Sequence, residues 1–126
     1  MASSTAPRRR ILIVEDEAII AWELQFLLEE LGHHVCGIAA SEDEAERLAW
    51  QTQPELILMD VRLGRGGDGI VAAQRILTAR RVPIIFCTAY SDATVVQRMK
   101  AVDPVGIAGK PIERHVLSKL IDAAPA

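Results

Sequence analysis

Ile11-Leu12-Ile13-Val14-Glu15-Asp16-Glu17 sets four consecutive aliphatic residues directly against three consecutive acids. An unbroken, largely β-branched run of this length suits a strand covered on both faces, whereas a strand with one wet face alternates. The form recurs at 35–39, 56–59, 84–87 and 105–108, each a short apolar run followed by a break. Between the runs the pattern changes to helical period. The first such stretch carries Ile20, Leu24, Leu27, Leu28 and Leu31 on one stripe and stops at Gly32, a C-terminal signal. The second opens with Ser41-Glu42-Asp43-Glu44, which fits a capping box, and packs through Ala45, Leu48 and Ala49. The third runs over 70–79 through Val71, Ile76 and Leu77; the fourth starts after Ser91 or Asp92 and turns Val95, Val96 and Met99 inward. The last carries Ile112, Val116, Leu117, Leu120 and Ile121. Five strand–helix units in alternation predict an α/β fold: a doubly wound, five-stranded parallel sheet with five helices on its two faces.

Ligands of such sheets bind beyond the carboxyl ends of the strands. Glu15 and Asp16 follow the first run, Asp60 the third, Thr88 the fourth and Lys110 the fifth, whereas the second ends in Ala39-Ala40. Four strands therefore bring polar groups to one rim and the second brings none, which fits the order 2-1-3-4-5 with the second strand at an edge.

At 126 residues and 50% hydrophobic composition the chain suits one domain with a core of its own. The net charge of −3 comes from 17 acidic and 14 basic residues mixed along the chain, so no basic stripe for direct nucleic-acid binding is expected. Cys36 and Cys87 lie in apolar runs without metal-ligand spacing and read as buried thiols of a cytoplasmic protein. Residues 1–9 are expected to form a flexible tail ahead of a domain spanning 10–126. The apolar run after Arg8-Arg9-Arg10 is too short for a signal peptide or membrane span, so no membrane partner is expected. His33, His34 and His115 lack partners at metal spacing and read as surface or loop residues.

The chemistry of the rim follows from charge. Three carboxylates within a few ångströms repel one another, and burial raises the cost of their charge. A hard divalent cation resolves this, and magnesium suits Asp16, Asp60, a water held by Glu15 and a backbone carbonyl shortly after Asp60, taken as that of Arg62. Asp60 is the natural nucleophile toward a phosphoryl group, because a carboxylate needs no general base. Lys110 supplies fixed positive charge for a phosphoryl oxygen and the Thr88 hydroxyl a donor to another. Taken singly, each has a plainer role: the 15–17 acids as a helix start, Asp60 as a turn residue, Thr88 as a cap, Lys110 as a solvated lysine. Their arrival together at four strand ends favours the chemical reading.

These segments resemble the motif set of bacterial two-component response regulator receiver domains. The likeness rests on residues 11–17, Leu58-Met59-Asp60, Asp68-Gly69, Cys87-Thr88-Ala89 and Lys110-Pro111. The resemblance implies a flavodoxin-like fold, Asp60 as phosphoacceptor, Glu15 and Asp16 as the acidic pair, Thr88 as switch hydroxyl and Lys110 as phosphate contact. It also implies Mg2+, a sensor histidine kinase or histidine phosphotransfer protein as donor, a downstream protein as output, and a cis peptide before Pro111. The face of the fourth helix, fifth strand and fifth helix is expected to change on phosphorylation and to be the place of any homodimer. As a phosphoacceptor signalling domain, the chain would catalyse only its own phosphorylation and dephosphorylation.

Two departures stand out. The loop after Asp60, residues 63–69, is Gly-rich and is expected to be more mobile than the family's Pro-containing form. Ile107 stands where the family carries a switch aromatic; Tyr90 is the nearby ring, and Phe86-Cys87-Thr88-Ala89-Tyr90 is similar to a motif of atypical single-domain regulators. Tyr90 is therefore expected to take over the switch. A docking module that is never phosphorylated is disfavoured by the intact acid, hydroxyl and lysine set. A flavin-binding protein is disfavoured because the acids at 15–17 would repel a phosphate.

Overall fold

The computed structural model describes residues 8–89 and 92–125. Its strands are β1 (Arg10–Val14), β2 (His34–Ala39), β3 (Leu56–Asp60), β4 (Arg62–Leu63), β5 (Gly67–Asp68), β6 (Ile84–Thr88) and β7 (Gly106–Gly109). The helices are α1 (Ala18–Glu30), α2 (Glu42–Thr52), α3 (Gly69–Ala79), α4 (Ala93–Lys100) and α5 (Arg114–Ala123). Five strands form one parallel sheet in the order β2-β1-β3-β6-β7, which over those five is the expected 2-1-3-4-5.

Alternate residues of the unbroken apolar strands serve opposite faces, because successive side chains point to opposite sides of a sheet. Leu12, Val14, Ile57, Met59 and Phe86 join Ala45, Ala49, Ile70, Ala73, Ile76 and Met99 under α2, α3 and α4. Ile11, Ile13, Leu58, Ile85 and Cys87 join Ala21, Leu24, Leu28, Leu117 and Ile121 under α1 and α5. Each fully buried aliphatic side chain contributes about 1.5–3 kcal/mol over its exposed state.

Local signals act where the sequence places them. Gly32 takes φ +92 after α1; its N–H bonds the Glu29 carbonyl and the His33 N–H the Leu28 carbonyl, closing a Schellman motif. The Ser41 hydroxyl accepts the Glu44 N–H at 3.1 Å, while the Glu44 carboxylate reaches back to the Ala40 N–H at 2.7 Å. The last strand begins at Gly106 rather than 105, since its register is fixed by pairing with β6 and not by the apolar run. The Lys110–Pro111 peptide is cis.

Four expectations need correction. His33 is buried, not a surface residue: its Nδ1 accepts the Arg9 N–H at 3.1 Å. Cys36 is half-buried, and only Cys87 lies fully inside. The Gly-rich segment after Asp60 folds into an antiparallel ribbon, β4 against β5, with the Leu63 side chain in the core. Its turn is made by Gly64 and Gly66 at φ +63 and +69, values that favour glycine. Arg9, assigned to the tail, is also buried, its guanidinium donating to the carbonyls of Ala124 and Pro125 at 2.8 and 2.9 Å.

Candidate functional site

Four parallel strands deliver the site. β1 stops at Val14 and is followed by Glu15, which is 2% exposed, and by exposed Asp16. β3 ends on Asp60 and β6 on Thr88, both buried. Lys110 lies just past β7, its backbone N–H donating to the Thr88 carbonyl at 3.0 Å. Carboxylate oxygens of Glu15, Asp16 and Asp60 all lie within 4.8 Å of one another. The Lys110 ammonium joins two of the three, donating to Glu15 Oε1 at 2.7 Å and to Asp60 Oδ2 at 3.1 Å. Glu15 Oε2 accepts the Glu17 N–H at 3.1 Å, so this buried carboxylate is satisfied on both oxygens.

Burial works against the charge on Lys110, but its hydrogen bonds to Glu15 and Asp60, with their negative charge, outweigh that and hold the pKa above its ordinary value. The lysine is therefore a permanent cation at neutral pH. Burial pushes the neighbouring Cys87 thiol up to about 12, which leaves it an uncharged packing group rather than a nucleophile.

The donor set fits magnesium. Three carboxylates and one ammonium carry a formal charge of −2, all ligating atoms are hard oxygens, and exposed Asp16 opens the cluster to solvent. The ribbon closes one side: a Cβ built on Gly64 would stand 3.5 Å from Asp16 Oδ2. Arg62, whose carbonyl is the expected backbone ligand, is the first residue of β4 and two positions past Asp60.

The fold thus brings together Glu15, Asp16, Asp60 and Lys110, with Thr88 at the end of the adjacent strand. Ile107 is half-buried on β7, packed into the core beneath α4. Tyr90 lies outside the described residues. Three groups beside the site, Asp68, Glu42 and Arg98, were not singled out as site residues in sequence. Asp68 caps α3, accepting the N–H groups of Ile70 and Val71 at 2.8 and 3.2 Å. Its backbone N–H bonds Glu42 at 2.7 Å, and its second carboxylate oxygen bonds Arg98 of α4 at 2.7 Å. An acid before an apolar helical run signals the cap, but nothing in sequence pairs residues thirty positions apart.

Comparison with known proteins bears on the family and the fold. The family model described as response regulator receiver domain matches residues 11–122. The phyllosphere-induced regulator PhyR of Methylorubrum extorquens is 37% identical over 90% of this chain, and the transcriptional regulatory protein PdtaR of Mycobacterium tuberculosis is 38% identical over 97%. The chain spans 42% and 59% of the lengths of these two relatives. Among solved structures, the signal receiver domain of a modulated diguanylate cyclase from Desulfovibrio desulfuricans superposes with a TM-score of 0.87 at 36% identity, covering 94% of each chain. Among the described residues no helix is long and apolar enough to cross a membrane.

Proposed function

This chain belongs to the response regulator receiver domain family, and from that premise we propose that it accepts a phosphoryl group on Asp60 from a phosphohistidine of a sensor kinase or phosphotransfer protein. The observation that carries the reading is the meeting of three carboxylates and one lysine at the ends of β1, β3 and β7. In the transfer an Asp60 carboxylate oxygen attacks phosphorus in line with the donor nitrogen. The P–N bond breaks, its electron pair stays on the imidazole, and an acyl phosphate forms on Asp60. Lys110 already lies 3.1 Å from Asp60 Oδ2, so its ammonium meets the charge carried by the incoming oxygens without reorganisation. Glu15 positions that ammonium, and the Thr88 hydroxyl donates to a phosphoryl oxygen.

Asp16 and Asp60 would hold a magnesium ion directly, with Glu15 acting through water and Arg62 through its carbonyl. When bound, the ion supplies charge neutralisation and alignment of the phosphoryl group. An exposed apolar stripe on α1, made by Ile19, Trp22 and Phe26, borders Lys110 and Pro111 and offers a protein donor a place to cover the site. The output contact, to a downstream protein or a second copy, falls on α4, β7 and α5.

Mass spectrometry after incubation with acetyl phosphate and magnesium tests the assignment. The parent gains one phosphoryl group and Asp60→Asn gains none; equal labelling of the two would show that Asp60 is not the acceptor.

A further inference from the structure

The position that would carry a switch aromatic is Ile107, a β-branched residue with restricted rotamer freedom, so besides the ring expected at Tyr90 a change at Asp60 can use a second way to reach α4. The ribbon after Asp60 offers one. Gly69 lies directly on the backbone of Asp60: a Cβ added there would overlap the Asp60 carbonyl oxygen. The Gly69 N–H bonds the Val61 carbonyl at 2.7 Å, closing the segment back onto the end of β3. One residue earlier, the Asp68 carboxylate is divided between two helices, one oxygen on the first N–H groups of α3 and the other on Arg98 of α4. Glu42 of α2 fixes the Asp68 backbone from the far side.

We propose that the Asp68–Arg98 ion pair couples the ribbon after Asp60 to α4, so that a change of charge at Asp60 alters the α4 surface through this pair. The inference rests on Asp60 being the phosphoacceptor. Displacement of the ribbon moves Asp68 because Gly69 has no side chain to cushion its contact with Asp60. Arg98 follows because its 2.7 Å contact is charge-assisted, while Met99 beside it is fully buried and anchors the helix as a pivot.

The test uses two substitutions with the full chain, magnesium and beryllofluoride as the phosphoryl mimic. Arg98→Gln removes the cation and leaves the α3 cap intact. Asp68→Asn removes the charge partner but keeps a capping oxygen. Amide shifts are followed over 60–69 at the site and 93–100 on α4. Both variants should retain the parent's shifts over 60–69 while those over 93–100 fall to less than half. Full α4 shifts in both variants, or loss in Asp68→Asn alone, would overturn the coupling. A parent that shows no shifts over 60–69 would instead overturn the phosphoacceptor reading, and the coupling with it.

Discussion

Glu15 and Asp16 are neighbours in the chain and opposites in environment. Glu15 is buried, with its oxygens committed to Lys110 and the Glu17 N–H, whereas Asp16 faces solvent and makes no such commitment to Lys110. A metal arriving from water therefore meets a ready ligand in Asp16 and an outer support in Glu15. Loss of an outer support typically costs about 10–100-fold in metal affinity, and loss of a direct carboxylate should cost more. A magnesium titration should show Glu15→Ala within that range and Asp16→Ala beyond it. Equal losses would contradict the division. Magnesium should also raise the melting temperature of the parent, since a ligand bound by the folded state alone stabilises it, and Asp16→Ala should lose most of that gain.

At the scale of the element, α1 carries more apolar surface than the core can use. Ala21, Leu24 and Leu28 are buried against the sheet, while Ile19, Trp22 and Phe26 stand 64–69% exposed on another face. Phase explains this: 19, 22 and 26 share one stripe at spacings of three and four, rotated away from the stripe of 21, 24 and 28. Trp22→Ala should leave folding and labelling by acetyl phosphate unchanged. It should slow transfer from a phosphorylated histidine phosphotransfer domain about tenfold, the equivalent of about 1.4 kcal/mol of docking energy. Identical single-turnover rates for parent and variant would remove α1 from the donor contact. The ribbon shows the reverse case, in which a Gly-rich segment expected to be loose is fastened by Leu63 in the core and by Asp68 to Glu42 and Arg98.

At the scale of the whole molecule, Arg9 and His33 tie both ends of the fold at the pole opposite Asp60. Arg9 passes its N–H to His33 Nδ1, accepts the His34 N–H at 2.9 Å, and clamps the carbonyls of Ala124 and Pro125 just past α5. Burial, then the charge of Arg9, lower the His33 pKa below 6.5, with Asp122 pulling the other way and Arg8 adding to the fall. The sign follows from linkage. The unfolded chain takes up a proton near pH 6.5 that folded His33 resists, so this contribution is present above 6.5 and is lost as pH falls through the lowered value. His33→Asn keeps an acceptor for Arg9 without titrating. Urea midpoints measured through this range should fall more steeply for the parent than for the variant; parallel curves would show that His33 does not carry the dependence.

The five strands of the parallel sheet, their order and the rim were legible in the order of the residues. Short unbroken aliphatic runs rich in β-branched residues and bounded by breaks suit strands covered on both faces, and the residues that end parallel strands land on one edge. Glu15, Asp16, Asp60, Thr88 and Lys110 were legible for that reason. Tertiary structure alone decided the pairings between residues far apart in the chain: Asp68 with Arg98, Arg9 with the end of α5, His33 turned inward. A periodicity reports which face of its own element a residue occupies, but a polar contact to another element depends on how two elements cross, and that angle is set by the packing of the whole core.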